Sequence, residues 1–165
     1  MMKLGCEETV RGLERIGDTA GVDVHASLEA PCPADDLFVF VDDLGRYPSW
    51  IDLVHRAEPV GEGEWQVELR ARLGPLARSK RLRMRRTTHD PQQRVVVFER
   101  HEVDGKHHSP WVLRAEVLDA GDSASLLMHL HYGGALWTGG VLERALGDQI
   151  TNGRERLLQL VRSTR

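Results

Sequence analysis

From Trp65 to Tyr132 the chain repeats one pattern, in which apolar and polar residues alternate and each run ends in turn-forming residues. Trp65, Val67, Leu69, Ala71 and Leu73 alternate with Gln66, Glu68, Arg70 and Arg72. Successive side chains of a strand point to opposite faces, so this spelling gives one dry face and one wet face. In the next run Leu82, Met84, Arg86 and Thr88 share a face, with Arg81, Arg83 and Arg85 on the other. A turn at Asp90-Pro91-Gln92-Gln93 leads into a strand from Val95 to His101. Asp104-Gly105 turns the chain again. Trp111, Leu113, Ala115 and Val117 then alternate with Arg114 and Glu116, and Leu126, Met128, Leu130 and Tyr132 with Leu127, His129 and His131. Such closely connected strands pair as antiparallel hairpins.

The two ends of the chain read differently. Apolar residues at Val141, Leu142, Ala145, Leu146, Ile150, Leu157, Leu158 and Val161 keep helical spacing over about six turns, which predicts one long amphipathic helix. Gly153 interrupts it, as a point of close backbone approach and not a break. Upstream, residues 22–30 alternate as a half-buried strand that ends at Pro31. Pro33-Ala34-Asp35-Asp36 opens a short helix with acids in its first turn, where the helix dipole favours them. A second short helical segment carries Tyr47, Pro48, Trp50 and Ile51. The expected fold class is therefore α+β: a curved antiparallel sheet of about seven strands wrapped around a long C-terminal helix, with two short helices after the first strand. A twisted sheet curled around one helix leaves space beside that helix.

The chain has 165 residues, enough for one domain with a sizeable core. We expect residues 1–20 to form an appendage with a short helix (Val10, Leu13 and Ile16 on one face) and residues 21–165 to form a single domain. A formal net charge of -3 argues against a general polyanion binder. Two cysteines, Cys6 and Cys32, build neither a disulfide framework nor a zinc motif. With no signal peptide or membrane span legible, the expected location is cytoplasmic.

Three stretches carry a resemblance. They are Leu28-Glu29-Ala30-Pro31 before the acidic helix start, Asp43-Leu44-Gly45-Arg46-Tyr47-Pro48-Ser49-Trp50, and the terminal helix. Together they resemble the helix-grip superfamily called SRPBCC or START-like, and within it the polyketide cyclase/dehydrase and lipid transport family. The resemblance covers about residues 22 to 163. It implies a pocket for a hydrophobic small molecule (a lipid, quinone or polyketide) between sheet and last helix, with no cofactor. The residues expected at that pocket are Trp65, Leu69, Met84, Trp111, Leu113, Met128, Tyr132, Leu142 and Leu146, with Tyr47 and Trp50 near the mouth, and Phe98, Arg86 and Arg100 on the inner face.

The resemblance also implies a competing activity. Aromatase/cyclase relatives line the cavity with a Trp, Ser, Arg series on one strand and a second Arg on the next. Here Met84, Arg86 and Thr88 fill the first alternation, and Arg100 matches the second Arg. A hairpin about Gln92 sets Arg86 opposite Phe98 and Met84 opposite Arg100. With the other parity, Glu99 points inward and pairs with Arg86; both faces of the strand start apolar, so alternation leaves the two readings open.

His129 and His131 share a strand side at zinc-like spacing, but Met128, Leu130 and Tyr132 claim the inner face, so both imidazoles should face water and no metal is expected. Arg70, Arg72, Arg78, Lys80, Arg81, Arg83, Arg85 and Arg86 crowd one hairpin, with acids such as Asp35, Asp52, Glu64 and Glu68 lying upstream. This predicts an electrically bipolar molecule. Arg70, Arg72, Arg81, Arg83 and Arg85 would offer at most weak contact with an anionic surface or acidic partner, or else form a solvated sheet face. No nucleic-acid partner is expected, because no aromatic is interleaved on that face. The candidate functions are a carrier of a hydrophobic molecule, a polyketide cyclase or dehydratase, and an interaction protein working through the basic face.

Overall fold

The computed structural model describes residues 21–73, 75–134 and 141–164, apart from the side chains of residues 73, 76 and 141–143. The expected N-terminal helix lies outside these residues, as does the side chain of Leu142. Seven strands form one antiparallel sheet: β1 (Val22–Ala30), β2 (Val54–Gly61), β3 (Glu64–Leu73), β4 (Leu76–Asp90), β5 (Val95–Arg100), β6 (Trp111–Asp119) and β7 (Ala124–Tyr132). Their spatial order is β1-β7-β6-β5-β4-β3-β2, so every chain-consecutive pair from β2 onward is a hairpin and β1 closes against β7. Helix α1 (Ala34–Phe38) and a 3-10 turn (Leu44–Ser49) follow β1, and helix α2 (Val141–Ser163) ends the fold.

Strand β2 was not legible as a separate strand. Only its first residue is buried, it contains Pro59, and it is a sheet edge, so it has no alternating face to declare it. A second difference lies in β4. The β4–β5 register slips by one between Arg86 and Thr88, and this bulge moves the inner-face position from Thr88 to His89. His89 stacks on Phe38 and bonds Asp42, although it and Thr88 are both exposed.

The inner sheet face and α2 bury each other. Leu146, Ile150, Leu157, Leu158 and Val161 of α2 are buried, opposite residues such as Val24, Leu28, Val67, Leu82, Val96 and Leu126. Each such aliphatic side chain removed from water contributes about 2 kcal/mol. Three contacts tie the residues just after the 3-10 turn to α2. A Cβ at Gly153 would stand 2.2 Å from the Trp50 carbonyl oxygen, so only glycine lets the helix seat there. The Leu53 N–H donates to Gln149 Oε1 at 3.1 Å. Arg156 donates to both carboxylate oxygens of Asp52, at 2.5 and 2.8 Å.

Candidate ligand cavity

Between α2 and the inner sheet face lies an internal cavity of about 70 Å³. Among the described residues, the sheet supplies Val67 and Leu69 from β3, Leu82 and Met84 from β4, Trp111 and Leu113 from β6, and Met128 and Leu130 from β7. Helix α2 adds Leu146 and Ile150, and the segment from the 3-10 turn to β2 adds Leu44, Tyr47, Ile51, Leu53 and Val54. None of these side chains carries a charge, and the Tyr47 hydroxyl is spent on the Val41 carbonyl at 2.8 Å. Burial pushes that phenol well above its ordinary range, so it stays protonated. A cavity this apolar offers water no partners.

Of the residues expected at the pocket, Tyr47, Leu69, Met84, Trp111, Leu113, Met128 and Leu146 line it. Tyr47 and Trp50 are fully buried and do not stand at a mouth. Trp50, Trp65 and Phe98 lie behind the lining, in an aromatic cluster: Phe98 meets Tyr47 and Trp65 edge-on, and Tyr47 tilts against Trp50. Tyr132 backs Trp111, ring centroids 4.6 Å apart. Leu44, Ile51, Leu53, Val54, Val67, Leu82, Leu130 and Ile150 also line it without having been expected there, although the last four share the strand parity or helix stripe of a residue that was.

The two arginines take the first of the two parities offered by the sequence, but their side chains do not enter the pocket as expected. The register is Met84 with Arg100 and Arg86 with Phe98, so Arg100, and not Glu99, belongs to the inner face. Neither guanidinium reaches the cavity lining. Arg86 lies over the Trp65 ring and donates to the Asp42 carbonyl at 3.0 Å. Arg100 donates to Glu102 at 2.8 Å and to the Ser109 carbonyl at 3.2 Å, and meets His108 Nδ1 at 3.2 Å. His108 is held in turn by Asp104.

Lys80 is a cation that sequence reasoning misplaced. Counted among the basic strip, it pairs with Leu69 and so lies on the inner face, in phase with Leu82 and Met84. Its ammonium stands 5.7 Å from the Trp111 ring centroid and 5.2 Å from that of Tyr132. Burial, and then the neighbouring Arg100 charge, hold its pKa below the usual lysine range against the opposing pull of Glu102. The buried Nε1 of Trp111 has no acceptor among the described residues.

The outer face is not a bare cationic strip. Glu64 accepts from Arg85 at 2.7 Å and also binds Arg83, and these guanidiniums hold its carboxyl below the usual range. Glu68 binds Arg70 at 3.0 Å and lies 3.8 Å from Arg81. Two of the acids upstream in sequence, Glu64 and Glu68, thus fold onto the bases downstream and offset part of the expected charge separation, while Arg70, Arg72, Arg78, Arg81 and Arg85 stay exposed. His129 and His131 face outward, both bonded to Asp23, and no group of three or more metal-ligating side chains occurs among the described residues. No helix among them is long and apolar enough to cross a membrane.

Residues 21–162 match the family model described as polyketide cyclase/dehydrase and lipid transport. No curated protein matches the chain in sequence. Among solved structures, a START superfamily protein from Mycobacterium smegmatis is similar over 87% of this chain and 99% of its own, at 14% identity and a TM-score of 0.65. A Thermobifida fusca protein is similar over 84% and 92%, at 18% identity and 0.61. An aromatase/cyclase from a Streptomyces species is similar over 86% and 91%, at 16% identity and 0.53. At these identities the likeness establishes the helix-grip fold. The family model spans nearly the whole described chain, and the chain belongs to the polyketide cyclase/dehydrase and lipid transport family.

Proposed function

We propose that the protein binds a hydrophobic small molecule in the cavity between α2 and the sheet, and holds or carries it without transforming it. The observation that carries this reading is the lining itself, aliphatic, aromatic and thioether side chains without a carboxylate, imidazole or guanidinium among the described residues. Cyclisation or dehydration of a polyketone needs groups that orient and exchange protons with the chain. Arg86 and Arg100, the residues in the matching positions, are committed to protein partners outside the lining. At about 70 Å³ the cavity is smaller than the several hundred Å³ that a drug-sized ligand fills, so loading must widen it. Met84 and Met128 both line the cavity from the sheet side and are the side chains best able to yield, being unbranched and flexible.

The test is a titration with Nile red, a neutral apolar fluorophore, against the wild type and Val67→Phe, which places a ring in the cavity. Binding to the wild type with blue-shifted emission, and its loss in a folded Val67→Phe protein, is the expected result. Binding that the ring does not disturb would place the probe elsewhere and overturn the reading.

A further inference from the structure

Strand β5 has six residues where its neighbour β4 has fifteen. Their pairing ends at Met84 with Arg100, so the stretch of β4 before Met84 has β3 on one side and no paired strand on the other. On the far side of this notch β6 begins at Trp111, paired with Tyr132. The Lys80 side chain spans the notch and ends over both rings. Leu69, its partner across β3, and Trp111, beneath its ammonium, both line the cavity.

The polar groups at this margin do not balance. Lys80 is donor-only, and its ammonium has neither a hydrogen bond nor an ion pair among the described residues. The indole N–H of Trp111 is also donor-only, buried and without an acceptor. Glu102, the carboxylate nearby, already accepts from Arg100 and from the Arg83 backbone N–H through the same oxygen. Arg100 adds a second positive charge beside Lys80. Buried polar groups of folded proteins are satisfied as a rule, so the Trp111 N–H without an acceptor at the wall of an apolar cavity, with the half-buried Lys80 ammonium above its ring, describes the complement of a missing group. A cation over two aromatic rings with a like charge beside it fits an anion better than a neutral acceptor.

We infer that Lys80 and Trp111 form the polar end of the cavity and receive the carboxylate of an amphipathic ligand whose hydrocarbon body lies among the aliphatic side chains. This rests on the binding function proposed above and adds the chemical class of the ligand, a hydrophobic monocarboxylic acid. The carboxylate would neutralise the Lys80 ammonium and accept the Trp111 N–H.

The test uses cis-parinaric acid and its methyl ester, which share one hydrocarbon body and differ in the charged end. The acid should bind the wild type about tenfold more tightly than the ester, the increment of one charge-assisted contact. Lys80→Met should bring the acid down to the affinity of the ester, Lys80→Arg should keep most of the preference, and Trp111→Phe should reduce it a few-fold. Lys80→Gln serves as the second neutral variant, and melting curves verify that each protein is folded. Equal binding of acid and ester to the wild type, or equal losses for both in Lys80→Met, would overturn the inference while leaving the cavity function standing. Binding of neither probe would overturn both.

Discussion

Two margins of the same cavity are built on opposite principles. Where residues 50–53 meet α2, the Trp50 carbonyl sits against Gly153, the Leu53 N–H is bonded to Gln149, and Asp52 is clasped by Arg156. Trp50 Nε1 is the polar atom left over there. Where Lys80 meets Trp111 and Tyr132, a strand stops short, a cation has rings for company and no acceptor, and an indole N–H is unbonded. Close packing, a bonded Leu53 N–H and the Asp52–Arg156 clasp fix the first margin in one arrangement despite that one indole N–H. Unsatisfied donors at the second cost stability and make sense as a binding end, since folds break their own bonding rules chiefly at functional sites.

The largest effect should come from breaking the first margin. Gly153→Val drives a side chain into the Trp50 carbonyl and should cost about 3 kcal/mol or more in chemical denaturation. Gly147 lies in the same helix, where an added Cβ meets nothing within 4 Å. Gly147→Ala should therefore stabilise by up to about 1 kcal/mol through helix propensity alone. Equal responses at the two glycines would show that Gly153 holds no special contact.

A smaller effect, of opposite sign, is expected at the second margin. The pKa of Lys80 is lowered on folding by burial and by Arg100. Its charged form therefore costs stability at neutral pH, and the cost fades as pH rises through the folded pKa toward the unfolded value near 10.5. Lys80→Met should raise the melting temperature slightly at pH 7, with the gap closing under alkaline conditions. A variant that melts lower at pH 7 would mean that Lys80 supports the fold and does not burden it.

The smallest effect concerns Asp52, whose carboxyl the Arg156 hydrogen bonds hold below its ordinary value. A depressed carboxylate pKa stabilises above the unfolded value near 3.8 and loses that contribution as pH falls through the folded value. Both side chains are substantially exposed, so the gain is modest. Asp52→Asn should melt slightly below the wild type at pH 7 and match it at the acid end of the curve; a constant gap at every pH would point to a cause other than the ion pair.

The sequence showed most clearly the elements that have a dry side. Strands β3, β6 and β7 announce themselves because each buries one face, and α2 because its stripe must cover the sheet. Gly153 was legible as a close approach because a glycine inside a sustained stripe has few other uses. Edge strand β2 hid because it buries almost nothing, and the bulge beyond Arg86 hid because one extra residue leaves no compositional trace. Parity placed the Arg86 backbone on the inner face but left Arg100 and Glu99 open, and the direction of both guanidiniums depends on Asp42, Glu102 and Ser109, which lie far along the chain or in the loop after β5. Lys80 was obscured by its company. In a run of arginines its charge reads as surface, whereas counting in twos from Met84 through Leu82 puts it inside.

The most direct measurement is native mass spectrometry of the purified protein, followed by solvent extraction and identification of whatever is bound. The expected result is a mass increment that dissociates on activation and yields a hydrophobic molecule bearing one carboxylate. A protein that flies without an increment, and that also takes up none of a panel of neutral and acidic apolar probes, would contradict the claim that the space beneath α2 is a binding site.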